Sequence, residues 1–176
     1  MAGLSVAREW PQLSTAAPVP LPAPRRGPRP TTRLWLPHIQ LDQWPPPELV
    51  EQLFAEAKRL PHVGVRQSRM ASPETPALCL QDRFAGGPNE AFIDGPEFCH
   101  LHPPPEGGAH LTLPPAIGSE VAGLGWVEKH PLAPSIPRWK CLVLVYAPRD
   151  ETELKIVMDL LETSWAFARG PCSGLR

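Results

Sequence analysis

His100 and His102 stand two residues apart in Glu97-Phe98-Cys99-His100-Leu101-His102, and His110 follows in Gly108-Ala109-His110-Leu111-Thr112-Leu113. Successive side chains of a strand alternate between faces. Phe98, His100 and His102 are therefore expected on one face, and Cys99 and Leu101 on the other. In the return run Ala109, Leu111 and Leu113 share a face, and His110 and Thr112 share the opposite one. The intervening Pro103-Pro104-Pro105-Glu106-Gly107 can only be a loop. Antiparallel pairing with the apolar faces together sets Cys99 opposite Leu111 and Leu101 opposite Ala109. That register puts His100 across from His110, with His102 beside them. A slip by one residue would expose the leucines of the return strand, at about 1.5–3 kcal/mol for each buried side chain lost. Three imidazoles so placed form a natural facial metal site. Imidazole suits Zn, Fe, Cu and Ni, and a position would stay open for substrate or oxygen. His130, or a carboxylate from Glu97 or Glu128, could complete the set. The plainer alternative is a group of hydrogen-bonded histidines on a half-exposed sheet face, since H-x-H alone is a weak motif.

Glu128 and His130 form a second group. His130 precedes Pro131, which holds its backbone extended and its ring aimed. The two could orient each other or act as base and acid. A surface loop over a packed Trp126 explains the same spacing. Tyr146 and Arg149 form a third group, at a strand-to-helix corner where an arginine could clamp an enolate or carboxylate. A salt bridge from Arg149 to a helix carboxylate is the competing reading. Phe98, Trp126 and Tyr146 are the candidate substrate-binding aromatics. The chain has no G-x-S-x-G, P-loop, G-x-G-x-x-G or H-E-x-x-H motif. Cys99 falls on the apolar face and is a poor nucleophile candidate.

The elements that must carry these residues follow from local pattern. Residues 1–43 are rich in Pro, Ala and Arg, with prolines alternating through Pro18-Val19-Pro20-Leu21-Pro22-Ala23-Pro24, and 26 of the 176 residues are proline. Such a segment is expected to be disordered, or loosely docked through Trp35 or Trp44. Residues 44–170 form the domain, and 171–176 a frayed tail. A helix begins at Pro46-Pro47-Glu48 and buries Leu49, Leu53, Ala57 and Leu60. His62–Arg66 and Pro76–Leu80 read as strands, Ala91–Ile93 as a short segment before the Asp94-Gly95-Pro96 turn, and the hairpin follows. Pro115 to Leu124 is a short helix that Gly125 stops. Trp126 to Leu132 is a connection. Cys141 to Tyr146 is unbrokenly apolar, as a central strand buried on both faces would be. Asp150 with Glu153 resembles a capping box for a last helix burying Leu154, Val157, Leu161 and Trp165. The sum is an α+β, two-layer fold. It has a mostly antiparallel sheet, a hairpin meander plus a central strand, with about three helices on one face.

A net charge of −1 gives no electrostatic reason to expect nucleic acid or an anionic membrane as partner. No apolar run is long enough to span a bilayer, and the start lacks the order of a signal peptide. The four cysteines make no C-x-x-C pair, so reduced thiols and a soluble, cytoplasmic protein are the expectation.

In three blocks the sequence resembles the luciferase domain family, that of fungal luciferase and its bacterial relatives. The blocks are Glu97–His102 with His110–Leu113, Gly125–Ala133, and Tyr146–Asp150 leading into the last helix. Arg83–Gly87 and Glu90 add a weaker match, and the resemblance covers about residues 60 to 170. The fungal enzymes oxidise a hydroxylated styryl-pyrone with dioxygen. The resemblance therefore implies oxygen chemistry on an enolic or phenolic small molecule, without implying light emission. In that reading His130 or His100 removes a proton, the resulting carbanion reacts with oxygen, and Arg149 stabilises the anion. The cofactor would be nothing beyond dioxygen, or a divalent metal on the histidines. Two further readings are a non-catalytic ligand-binding or assembly module on the same scaffold and a His-ligated metal-dependent hydrolase. The partner implied is a small-molecule ligand, with the Pro-rich tail a weak site for a second protein.

Overall fold

The strands are β1 (Val63–Gln67), β2 (Pro76–Leu80), β3 (Glu97–Leu101), β4 (Ala109–Thr112), β5 (Val127–Lys129) and β6 (Leu142–Val145). In a computed structural model describing residues 20–171, they form one antiparallel sheet in the order β1-β2-β3-β4-β6-β5. Among the described residues three α-helices accompany them: α1 (Pro47–Ala57), α2 (Pro115–Gly123) and α3 (Glu151–Arg169). This is the expected α+β architecture. The unbroken apolarity of β6 is explained by its place between β4 and β5, where all four of its residues are buried. β5 is a three-residue edge strand inside what reads from sequence as a connection; so short a run carries little alternation to find.

One sheet face packs on helices. Leu78, Leu80, Cys99, Leu101, Leu111, Val143 and Val145 share a cluster with Leu154, Val157, Leu161 and Trp165 of α3 and with Leu49 and Leu53 of α1. Asp150 caps α3 by accepting from the Glu153 N–H at 2.9 Å, and Gly125 ends the α2 region at φ +83°, where glycine carries no Cβ penalty. Among the described residues no helix covers the other face. There Ile93, Trp139 and Leu142 pack with Leu132 and Ile136, so the cover comes from connections. Ala91–Ile93 makes no strand; a 3-10 turn, Asn89–Ala91, leads into it.

The hairpin register is Cys99 opposite Leu111, His100 opposite His110 and Leu101 opposite Ala109, as the alternation requires. One detail departs from strict alternation. β2 pairs Leu78 with Cys99 but Cys79 with Glu97, so β3 holds one extra residue, Phe98, at that point. A bulge of this kind resets the parity of the strand. Phe98 is fully buried in the helix-side cluster, not on the histidine face where plain alternation puts it.

Residues 20–46 run as a strap against the domain. Arg25 N–H donates to Leu124 O at 2.9 Å, and the Trp126 indole donates to Ala23 O at 2.8 Å. The strap folds back on itself where Arg33 N–H meets Ile39 O and Leu41 N–H meets Thr31 O. Its Gln40 is buried and donates to Asp42 O and Gln43 O while accepting from Ala147 N–H. Residues 1–19 and 172–176, with most of the expected tail, lie outside the described residues. Among the described residues no helix is long and apolar enough to cross a membrane, and Cys79, Cys99 and Cys141 are free and buried.

Candidate functional site

The hairpin register places His100 and His110 side by side on the face away from the helices. His102 extends the ladder through its N–H to Gly108 O at 2.8 Å. The His100 Nε2 lies 3.1 Å from His110 Nδ1, and His102 Nε2 lies 3.0 Å from the same atom. The strap supplies a fourth ring: His38 Nδ1 is 3.0 Å from His110 Nε2. His130, carried past the end of β5, brings a fifth, with ring centroids 5.2 Å from His38 and 5.1 Å from His110. All five are buried.

Carboxylates stand behind three of these rings. Glu97 Oε1 is 2.7 Å from His100 Nδ1 and also accepts from the Ser68 hydroxyl at 3.0 Å. Glu106 contacts His102 Nδ1 and accepts from the Gln40 N–H at 2.8 Å and the Gly108 N–H at 3.1 Å. Glu128 Oε1 is 2.6 Å from His38 Nε2, and its other oxygen accepts from the Tyr146 hydroxyl at 2.9 Å. An ionised carboxylate only accepts, so each of these imidazole nitrogens carries the hydrogen it shares. His130 is oriented differently. Its Nδ1 accepts from the Leu132 N–H at 3.2 Å, so in the neutral ring Nε2 bears the hydrogen.

The histidines floor a cavity of about 350 Å³. Its walls are largely apolar: Leu36, Pro37 and Ile39 from the strap, and Ile93, Trp139 and Leu142 from the opposite side. Pro103, Pro104 and Pro105 of the hairpin loop also line it. The size and the mix of apolar wall with a few convergent polar groups suit a small organic ligand.

Burial sets the protonation of the floor. It lowers His100 despite Glu97 at its Nδ1, and lowers His110 well below the ordinary imidazole value, with His102, His100, His38 and His130 adding to the effect. Burial, then His38 and His100, bring His130 down to about 4. These three rings are neutral at pH 7. Burial works against ionised Glu128, but hydrogen bonds from His38, Thr32 and Tyr146 outweigh it and hold the carboxyl below its usual value. Tyr146 is pushed up by burial and by the Glu128 charge.

Of the residues singled out from sequence, His100, His102, His110 and His130 come together at the cavity. Glu128 stands one step back, against His38. Tyr146 holds Glu128, Trp126 holds the strap, and Phe98 is core; none of the three lines the cavity. Arg149 is not there either. It pairs with Glu153 on α3 and donates to Arg26 O at 2.7 Å, so the helix-carboxylate reading describes its contacts. Sequence reasoning missed His38, Glu106, Gln40 and Ser68. His38 and Glu106 sit in proline-rich stretches whose composition hides them, though the spacing from His102 to Glu106 was there to be noticed.

Comparison with known proteins found a family model, the luciferase domain, that matches residues 95–164, from the start of the hairpin into α3. A luciferase of Armillaria gallica is 28% identical over 172 residues, covering 86% of this chain and 63% of that protein. A luciferase of Armillaria ostoyae is 28% identical over 171 residues, covering 86% and 62%. A luciferase of Neonothopanus nambi is 35% identical over 83 residues, covering 44% and 30%. The chain thus spans less than two thirds of the length of the curated relatives it matches. No solved structure matches it.

Proposed function

We propose an oxygen-dependent activity on an enolic or phenolic small molecule for this chain, which belongs to the luciferase domain family through residues 95–164. The observation that carries the reading is the floor of convergent imidazoles, two of them backed by Glu97 and Glu106, beneath an apolar-walled cavity. His100, with its Nδ1–H held by Glu97, presents an unprotonated Nε2. That nitrogen takes the hydroxyl proton of the bound substrate, and Glu97 stabilises the imidazolium that forms. The apolar walls exclude water and leave the anion electron-rich. Its carbon then supplies the electron pair of a new C–O bond to dioxygen, and the distal oxygen takes up the proton. In this reading the Nε2–H of His130 holds the substrate's oxyanion, the role the sequence suggests for Arg149.

The experiment is oxygen uptake by the purified chain with a panel of hydroxypyrones, enolic lactones and polyphenols, with light recorded as a separate readout. One substrate class should drive oxygen consumption. His100→Ala should lower the rate on the order of 100-fold or more while circular dichroism stays unchanged. Saturable binding across the panel with no oxygen consumed would overturn the reading in favour of a non-catalytic binding module.

A further inference from the structure

We propose that His100, His102 and His110 together hold a divalent first-row transition-metal ion. Glu97 fixes the hydrogen of His100 on Nδ1, and Glu106 fixes that of His102 on Nδ1, so both Nε2 atoms carry lone pairs. Glu128 fixes the hydrogen of His38 on Nε2, which leaves His38 Nδ1 as an acceptor. Among the described residues the group facing that acceptor at hydrogen-bond distance is His110 Nε2, 3.0 Å away, so His110 carries its hydrogen there. Its Nδ1 lone pair is then turned toward the other two rings, at 3.1 Å from His100 Nε2 and 3.0 Å from His102 Nε2. Three acceptors therefore converge with no hydrogen among them. Such an arrangement repels itself unless a cation sits between.

Ligand spacing supports the same conclusion. Nitrogens bound to one ion at about 2.0–2.1 Å lie roughly 3 Å or slightly more apart, which is the separation found here. Each ligand ring also has the outer carboxylate or imidazole partner that metal-bound histidines characteristically have: Glu97, Glu106, and His38 backed by Glu128. Those three carboxylates find their ion-pair partners, among the described residues, in these imidazoles alone, so a cation also balances local charge. A second trio, His38, His110 and His130, is equally close in space. It does not serve, because His110 Nε2 and His130 Nε2 both bear hydrogens in this network. Three imidazoles favour Zn, Fe, Co, Ni or Cu over the hard ions Mg and Ca. Because the same three residues border the cavity, the positions left open on the ion face it. An ion there would lower the pKa of a bound hydroxyl, taking over the proton-withdrawing role given to His100 above. To that extent the inference deepens the proposed function, but its evidence is independent of oxygen chemistry.

The test uses the full chain, stripped with chelator and titrated with Co²⁺, read by visible absorption and by calorimetry, with Zn²⁺ as competitor. One ion per chain is expected. Binding should be lost in His102→Ala and His110→Ala, weakened about 10- to 100-fold in Glu106→Gln, and kept in His130→Ala. Circular dichroism checks each fold; should His110→Ala fail to fold, His102→Ala carries the comparison. Absence of uptake of Co²⁺, Zn²⁺ and Fe²⁺ by folded protein overturns the proposal. So does loss in His130→Ala with retention in His102→Ala, which would move the ion to the other trio. Oxygen uptake by metal-free protein that binds no ion overturns this inference alone. Stoichiometric ion with no oxygen uptake overturns only the proposed activity.

Discussion

Glu97 and His100 are three residues apart on one strand, yet the Glu97 carboxylate reaches His100 Nδ1 at 2.7 Å on the same face of the sheet. In a regular strand, residues three apart point to opposite faces. The bulge at Phe98 supplies the missing step of parity and sends Phe98 itself into the helix-side core. The same irregularity thus fills the core and places a carboxylate behind an imidazole.

Removing that carboxylate strands two buried donors, the Ser68 hydroxyl and His100 Nδ1–H. Glu97→Ala should cost about 1–3 kcal/mol. Glu97→Gln keeps one acceptor and should cost less. Urea denaturation of the two variants and the parent gives the order directly; equal losses would show that the carboxylate is not the acceptor for both groups.

The hairpin register was legible because Cys99, Leu101, Ala109, Leu111 and Leu113 must all be buried, and only one pairing buries them together. From that register the association of His100, His102 and His110 followed. The bulge was not legible, since it depends on how β3 pairs with β2 and leaves no mark in the composition of β3. His38 was hidden for a related reason. Its position is fixed by long-range bonds of the strap, such as Arg25 N–H to Leu124 O, inside a segment whose prolines suggest little order. The destination of Arg149 was undecidable from spacing, because a carboxylate four residues on and a ligand in a cleft place the same demand on a guanidinium.

The strap should contribute to stability through Gln40. Its amide bonds to Asp42 O, Gln43 O and Ala147 N–H, and the residue is 1% exposed. Gln40→Ala leaves those backbone groups without their partner, at about 1–3 kcal/mol, whereas Leu34→Ala, at a residue 81% exposed, should change stability by about 0.5 kcal/mol or less. Thermal melts of both variants test the contrast. Indistinguishable melts would mean the strap is held by something other than Gln40.

Arg149 should matter for folding and not for turnover. Glu153 is buried and receives the Arg149 guanidinium and backbone N–H, with Arg25 a second cation at 3.5 Å. Arg149→Ala should lose about 1–3 kcal/mol, below the range for a fully buried broken pair because Arg25 remains and Arg149 is partly exposed. Ligand affinity and any oxygen uptake, measured per folded molecule, should match the parent. A large loss of turnover with stability intact would restore the anion-binding role suggested by the sequence.

The metal-free protein should weaken in mild acid. His130 titrates at about 4 in the folded chain and near 6.5 when unfolded, with burial the first cause and the neighbouring imidazoles of His38 and His100 the next. Between those two values the unfolded state binds more protons than the folded one, so stability rises with pH across that window and falls as pH drops through it. Full stability is therefore expected above about 6.5, with progressive loss toward about 4, amounting to on the order of 3 kcal/mol at most from His130 alone. His100 and His110 are displaced in the same direction and should steepen the fall. Denaturant midpoints taken from pH 7.5 to pH 4.5 in the presence of chelator would show the slope. His130→Gln, which removes the titrating ring and retains a polar side chain, should flatten it. A slope unchanged by that substitution would mean that His130 is not held neutral by its surroundings, and that the donor role assigned to its Nε2–H is wrong.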